Sequence, residues 1–305
     1  MQDILVTGGT GFLGKAVCVN MHSLGMVHAV NSSMYNLMSY EDTERMYMDI
    51  KPNIVIHLAA TVGGIGANKE NPGLFIENNL VMGCNVIRLA KKYNVDKFVM
   101  IGTVCSYPKY CPIPFKEENI WDGYPEETNA PYGIAKKTLI QMIQSYHDQY
   151  GFNGINLIPV NMYGPNDNFN PDSSHVIPAL ILKFQNAIKH NVNKVEIWGT
   201  GNASREFLYV EDCADAIKSA VINCNQPDII NIGTGQEITI KDLAIKIKNI
   251  MGYGGEIYFN QNYPDGQPRR CLDISRSENL LLWKPKVSLD QGLTRTIEWY
   301  RKYYA

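Results

Sequence analysis

Ile4-Leu5-Val6-Thr7-Gly8-Gly9-Thr10-Gly11-Phe12-Leu13-Gly14-Lys15-Ala16-Val17 opens the chain with an apolar run, a glycine turn and a second apolar segment. That order reads as strand, tight turn and helix. Glycines let a backbone approach a pyrophosphate closely, and a helix N-terminus offers it unpaired N–H groups. A glycine triad alone is weak evidence, but the strand before it and the helix after it supply the context for dinucleotide binding. Gly8, Thr10, Gly11, Phe12, Leu13 and Gly14 are therefore candidate cofactor contacts.

The alternation continues outward from this turn. Strand-like runs fall near Ile4–Thr7, Val27–Val30, Ile54–Leu58, Phe98–Ile101 and Ile155–Val160, with helical runs between them at 73–92 and 133–150. Near-continuous apolar strands separated by helices predict an α/β fold with a doubly wound parallel sheet, covered on both faces. Ligands of such sheets sit beyond the carboxyl ends of the strands. The loops at 8–14, 59–68, 102–110 and 161–170 all follow strand ends. After Pro165 the chain turns polar. Residues 229–235 read as a further strand with its exit turn, 240–251 as a helix, 252–268 as an irregular Gly/Tyr/Asn/Pro-rich stretch, and 289–300 as a last helix. The expected division is a dinucleotide-binding domain from 1–164 plus 205–235, and a smaller α/β substrate lobe from 165–204 plus 236–305.

Bulk properties narrow the function classes. The chain of 305 residues is 45% hydrophobic and carries a net charge of −2. That is enough for a large core, and without a Lys/Arg block nothing points to nucleic acid or an anionic membrane. No apolar run approaches the roughly 20 residues of a membrane helix, and the N-terminus enters a strand directly, so a cytoplasmic protein is expected. Seven cysteines at scattered spacings suggest free thiols. No Cys/His spacing suggests a metal site.

Tyr-x-x-x-Lys occurs three times. Tyr47 and Lys51 run into Pro52, and Tyr93 and Lys97 straddle a helix end and the next strand. Only Tyr132 and Lys136 lie within one long helical segment, four residues apart on one face. An ammonium beside a phenol favours phenolate, so the pair is expected to move a proton as hydride passes to or from a carbonyl carbon. At the end of the second strand, Asn31-Ser32-Ser33 stands where NAD enzymes place a carboxylate for the ribose hydroxyls. A carboxylate would repel a 2′-phosphate and none is present, so NADP is the expected cofactor.

These features resemble the extended short-chain dehydrogenase/reductases, through the glycine loop, Tyr132/Lys136 with an upstream hydroxyl residue, and Asn161-Met162-Tyr163-Gly164-Pro165. More narrowly the chain resembles the GDP-4-keto-6-deoxymannose epimerase-reductases, or GDP-L-fucose synthases. That likeness rests on Ala59-Ala60-Thr61-Val62-Gly63-Gly64-Ile65, Cys105-Ser106-Tyr107-Pro108-Lys109, Asp167-Asn168-Phe169, Ser174-His175-Val176-Ile177-Pro178, Arg205-Glu206-Phe207-Leu208 and Pro264-Asp265-Gly266-Gln267-Pro268-Arg269.

The resemblance implies inversion at C3 and C5 of a GDP-4-keto-6-deoxy sugar, then NADPH-dependent reduction at C4. It assigns the inverting acid and base to Cys105 and His175, and hydrogen bonding at the C4 oxygen to Thr103 and Tyr132. Lys136 would hold the nicotinamide ribose. Asn161, Val176, Lys183, Trp198, Arg205 and Arg270 would bind the GDP-sugar. Ala59, Ala60 and Asn79 would join Asn31, Ser32 and Ser33 at the cofactor. Thr103 replaces the family's usual serine and Lys183 its frequent arginine. The resemblance also implies a homodimer through the helices at 73–92 and 133–150. The competing readings are a C4 reductase of a related GDP-4-keto sugar such as a heptose or a 3-deoxy sugar, an NAD-dependent nucleotide-sugar 4-epimerase, and an NADP sensor without turnover. His57 reads as structural.

Overall fold

Residues 2–63, 65–171, 173–263 and 267–304 are described by the computed structural model. Gly64 and Pro264-Asp265-Gly266 of the quoted motifs lie outside them. The first half alternates as β1 (Gln2–Thr7), α1 (Phe12–Met21), β2 (Gly25–Val30), α2 (Tyr40–Ile50), β3 (Ile54–His57), α3 (Ile65–Glu70), α4 (Pro72–Lys92), β4 (Lys97–Ile101), α5 (Ala130–Tyr150) and β5 (Gly154–Pro159). There follow β6 (Asn161–Tyr163), α6 (Val176–Lys189), β7 (Lys194–Trp198), β8 (Ser204–Tyr209), α7 (Val210–Asn223) and β9 (Ile229–Ile232). The chain continues through β10 (Glu237–Thr239), α8 (Ile240–Met251), β11 (Glu256–Asn260), α9 (Ser275–Leu281) and α10 (Leu289–Tyr304).

A six-stranded sheet runs in the order β2-β1-β3-β4-β5-β9, and every neighbouring pair in it is parallel. The doubly wound α/β expectation is met. All residues of β3, β4 and β5 are buried, because helices cover both faces. On one face α1 and α7 pack a core that includes Val17, Ile56, Ile101, Ile158 and Ile217. On the other, α2, α4 and α5 pack one that includes Met46, Val55, Val86, Phe98 and Leu139. The strand order reverses between β1 and β3, which opens a crevice beyond their carboxyl ends.

The remaining strands leave this sheet. β6 and β8 are parallel neighbours and β10 is antiparallel to β8, while β7 and β11 form a separate parallel pair. Within 205–235 it is β9 that joins the six-stranded sheet, whereas β8 does not. A third core gathers Phe169 from the loop before α6 with Phe184, Ile197, Leu243 and Leu293 from α6, β7, α8 and α10. One segment differs from the reading of the sequence, and another had none. The 252–268 stretch contains β11, and Lys194–Trp198 is a strand. Both pairing segments are short, with only alternate residues turned inward, so their apolar signal is weak. Among the described residues, no helix is long and apolar enough to cross a membrane.

Candidate active site

The glycine loop lies at the crevice. Gly8 has a φ of +68°, and a Cβ there would stand 3.0 Å from the amide nitrogen of Ala59, just after β3. A Cβ on Gly14 would collide with the Gly8 carbonyl and come within 2.7 Å of Gly9. Side chains are thus excluded where the turn meets the helix. Gly11 caps α1 without a side-chain hydrogen bond, and no acidic residue occupies the first turn. The amides of Phe12, Leu13 and Gly14 remain open to an anion. This cradle fits a dinucleotide pyrophosphate. Thr10 is exposed beside it.

The polar turn after β2 is more self-contained than its composition suggests. Asn31 Oδ1 accepts from the Ser33 amide at 3.0 Å and the Ser33 hydroxyl at 2.7 Å. Ser32 is exposed. An arginine reaches this turn from α2: Arg45 donates to the Met34 carbonyl at 3.0 Å. Asp42 pairs with it.

After β3, Ala59 and Ala60 are half-buried. Asn79 shapes this loop rather than facing the crevice. It is 2% exposed, accepts from the Thr61 amide at 3.1 Å and donates to the carbonyls of Thr61 at 2.9 Å and Phe75 at 2.7 Å. His57 is structural. Its Nδ1 lies 2.7 Å from the Thr7 hydroxyl, and burial lowers its pKa to about 3, with Lys136 adding to the shift.

Four proposed catalytic residues come together where β4 ends. Thr103 caps a 3-10 turn at Val104–Ser106, accepting from the Cys105 amide at 3.2 Å. The turn sits on the start of α5: a Cβ on Gly133 would drive into the Cys105 carbonyl, and Ser106 Oγ donates to the Gly133 carbonyl at 3.1 Å. Tyr132, next to Gly133, is raised by burial and by Cys105 above the usual phenol range, while a hydrogen bond with Thr103 acts in the opposite direction. Lys136 is 2% exposed and donates to the Ile101 carbonyl at 2.9 Å. Burial pushes its pKa down to about 8.

The expected lowering of Tyr132 by Lys136 is not what the structure shows. The ammonium is committed to the end of β4, and desolvation governs the phenol. Among the described residues no contact joins His175 to this group. It caps α6 from an extended backbone and is exposed, with its pKa lowered by partial desolvation.

The proposed substrate residues fall into two groups. Arg270 reaches the catalytic turn, with Nη1 3.7 Å from Cys105 Sγ and Nε donating to Gln267 Oε1 at 2.6 Å. Gln267 in turn donates to the Lys109 carbonyl at 2.8 Å. Asn161 opens β6 and Arg205 lies in its neighbour β8: Asn161 Nδ2 donates to the Glu206 carbonyl at 3.1 Å, and Arg205 to the Ser204 carbonyl at 2.6 Å. Lys183 and Trp198 form the second group, with Nζ 5.3 Å from the indole centroid. Val176 is exposed at the start of α6.

Two supporting residues escaped the sequence. Glu206 is wholly buried. Its carboxylate accepts from the amides of Gly235 at 2.8 Å and Leu272 at 2.7 Å, and from that of Thr234. Asn231 ties the catalytic turn to the sheet. Tyr107 donates to its Oδ1 at 2.7 Å, and its Nδ2 donates to the Phe115 and Asp273 carbonyls. Glu206 stood in a quoted motif, and Asn231 was an out-of-place polar residue in an apolar strand.

Comparison with known proteins places the chain in a family. Residues 4–233 match the NAD dependent epimerase/dehydratase family. Probable GDP-L-fucose synthase 1 of Oryza sativa subsp. japonica is 40% identical, over 97% of this chain and 91% of that one. GDP-L-colitose synthase of Yersinia pseudotuberculosis is 36% identical over 98% of both. Among solved structures, the GDP-mannoheptose C4 reductase of Campylobacter jejuni with NADP bound superposes with a TM-score of 0.89, at 32% identity and over 99% of both chains. The chain belongs to the NAD dependent epimerase/dehydratase family.

Proposed function

We propose that the protein epimerises C3 and C5 of GDP-4-keto-6-deoxy-D-mannose and reduces C4 with NADPH, yielding GDP-L-fucose. The observation that carries this reading is the gathering of Thr103, Cys105 and Tyr132, with Arg270 on the thiol, above the buried Lys136. The absence of a carboxylate in Asn31-Ser32-Ser33 supports NADP over NAD. So does the NADP-bound relative.

The residues divide the work as follows. A C4 ketone acidifies the protons on C3 and C5, and Cys105 and His175 take and return them. Donors at the C4 oxygen stabilise the enolate that forms between. Tyr132 holds its proton at neutral pH because burial raises its pKa, which suits it to protonate that oxygen with Thr103 alongside. Lys136, near 8, stays largely protonated at pH 7 and fixes the floor of the site through Ile101. Reduced nicotinamide, when bound, supplies the hydride. The residues from 165–204 and 236–305 form the lobe that holds the nucleotide sugar. Two copies pair through α4 and α5, and a sedimentation measurement that finds only monomer at micromolar concentration would remove the dimer.

A second reading is a C4 reductase of a related GDP-4-keto sugar such as a heptose. The solved relative that supports it is the GDP-mannoheptose C4 reductase, which this chain matches over 99% of both chains at 32% identity. Incubation with GDP-4-keto-6-deoxy-mannose and NADPH in heavy water separates the two. Cofactor oxidation with deuterium at C3 and C5 supports the epimerase-reductase, and oxidation without exchange supports the simple reductase. No oxidation overturns the choice of this sugar.

A further inference from the structure

β7 presents Lys194, Glu196 and Trp198 on one exposed face and buries Val195 and Ile197 between them. Alternate residues of a strand stand about 7 Å apart on one face. Lys183 crosses from α6, donating to the Glu196 carbonyl at 2.9 Å. Tyr263 stacks on the indole of Trp198 with centroids 4.4 Å apart and planes at 12°. A ring at that distance leaves no room for an ammonium, so Lys183 lies over the opposite face. That face looks into an open cavity of about 380 Å³, whose lining includes Lys183, Asn186, His190, Lys194, Glu196 and Trp198. Glu196 Oε1 accepts from Asn260 Nδ2 at 2.6 Å. Among the described residues, Oε2 accepts nothing.

The cavity therefore combines a flat aromatic wall, the ammonium groups of Lys183 and Lys194, and a solvent-exposed carboxylate oxygen open to a ligand's donor. A carboxylate is acceptor-only and an ammonium donor-only. Guanine offers the matching set: adjacent N–H groups at N1 and the exocyclic amine, with O6 and N7 as acceptors. Adenine and uracil present no such pair of donors. We propose that Glu196 reads the base of the substrate's nucleotide, accepting from the N1 and amino N–H groups of a guanine laid on the Trp198 face that Lys183 covers here, with the Lys183 ammonium swung off the indole toward O6. Trp198 and Lys183 contribute contact area and charge to any base. Glu196 supplies the discrimination. This deepens the GDP-sugar reading above and rests on it.

The test is calorimetric titration of the full chain with guanosine, inosine, adenosine and uridine diphosphates, without any sugar. Inosine diphosphate lacks only the amino group. Wild type is expected to prefer guanosine over inosine diphosphate by roughly tenfold, one lost charge-assisted hydrogen bond. Glu196→Gln keeps the acceptor for Asn260 and replaces the free acceptor with a donor. It is expected to equalise guanosine and inosine diphosphates. An unchanged ratio in Glu196→Gln overturns the assignment while leaving the GDP-sugar reading intact. Tighter binding of uridine or adenosine diphosphate by wild type overturns both.

Discussion

Gly133 and Cys105 are in backbone contact: a Cβ on Gly133 would enter the space held by the Cys105 carbonyl oxygen. The first turn of α5 and the 3-10 turn that carries the thiol therefore meet with no side chain between them. Tyr132 precedes that glycine, so one close approach sets the distance between phenol and thiol. Gly133→Ala must push the catalytic turn off the helix. The expected result is a loss of about 1–3 kcal/mol in stability with kcat reduced well beyond what the residual folded fraction explains. Urea unfolding and turnover measured on the same preparation check it.

Tyr132→Phe removes the proton donor at the C4 oxygen but leaves the glycine cradle untouched. NADPH oxidation is expected to fall by about 10²–10⁴, with NADP affinity within a few fold of wild type. Equal turnover by the variant would take Tyr132 out of the chemistry.

Glu206 is buried and accepts from three backbone amides, which joins β8 to the turn after β9 and to the segment that carries Arg270. In Glu206→Gln an amide donor faces some of those N–H groups. A loss of about 3 kcal/mol or more is expected. Substrate binding should weaken along with it, since Arg270 loses its support. A denaturation midpoint equal to wild type would show that the pin is dispensable.

Two buried groups give opposite pH dependences. The His57 pKa falls from 6.5 to about 3 in the fold, so the unfolded state binds the extra proton between those values. Its contribution is present above pH 6.5 and is lost as pH falls toward 3. The Asp167 pKa rises from 3.8 to about 7 because burial disfavours its charge, and Oδ2 has no partner among the described residues. The folded state binds that proton, so this contribution is present below pH 3.8 and is lost as pH rises toward 7. Each is worth about 1.4 kcal/mol per pKa unit at full extent. Unfolding free energies of wild type, His57→Asn and Asp167→Asn across pH 4–7 separate them. His57→Asn should flatten the rise of stability with pH, and Asp167→Asn should steepen it.

Long-range order was legible wherever a local pattern carried it. The strands of the main sheet are apolar on both faces, and α4 and α5 are long and amphipathic, so their places could be read directly. β7 buries only Val195 and Ile197 and β11 at most half-buries its residues, so neither carries a strong strand signal. Tyr132 and Lys136 were picked out by spacing, Thr103 and Cys105 by the family resemblance, and the fold gathers all four. Asn79 was chosen for the cofactor, yet its amide closes on Thr61 and Phe75. No local signal distinguishes a polar side chain that faces a ligand from one that satisfies its own backbone.

The glycine turn, the strand–helix alternation and the Tyr132–Lys136 pair follow from the order of side chains along the chain, because steric freedom at glycine and helical periodicity are local properties. The tertiary structure alone decided which charges are desolvated and by what. It sent Lys136 to the Ile101 carbonyl rather than to the phenol, brought Arg270 to Cys105 across 165 residues, and placed Glu206 beneath three amides. Those outcomes depend on burial and on contacts between distant segments, and both exist only once the sheet and its helices have packed.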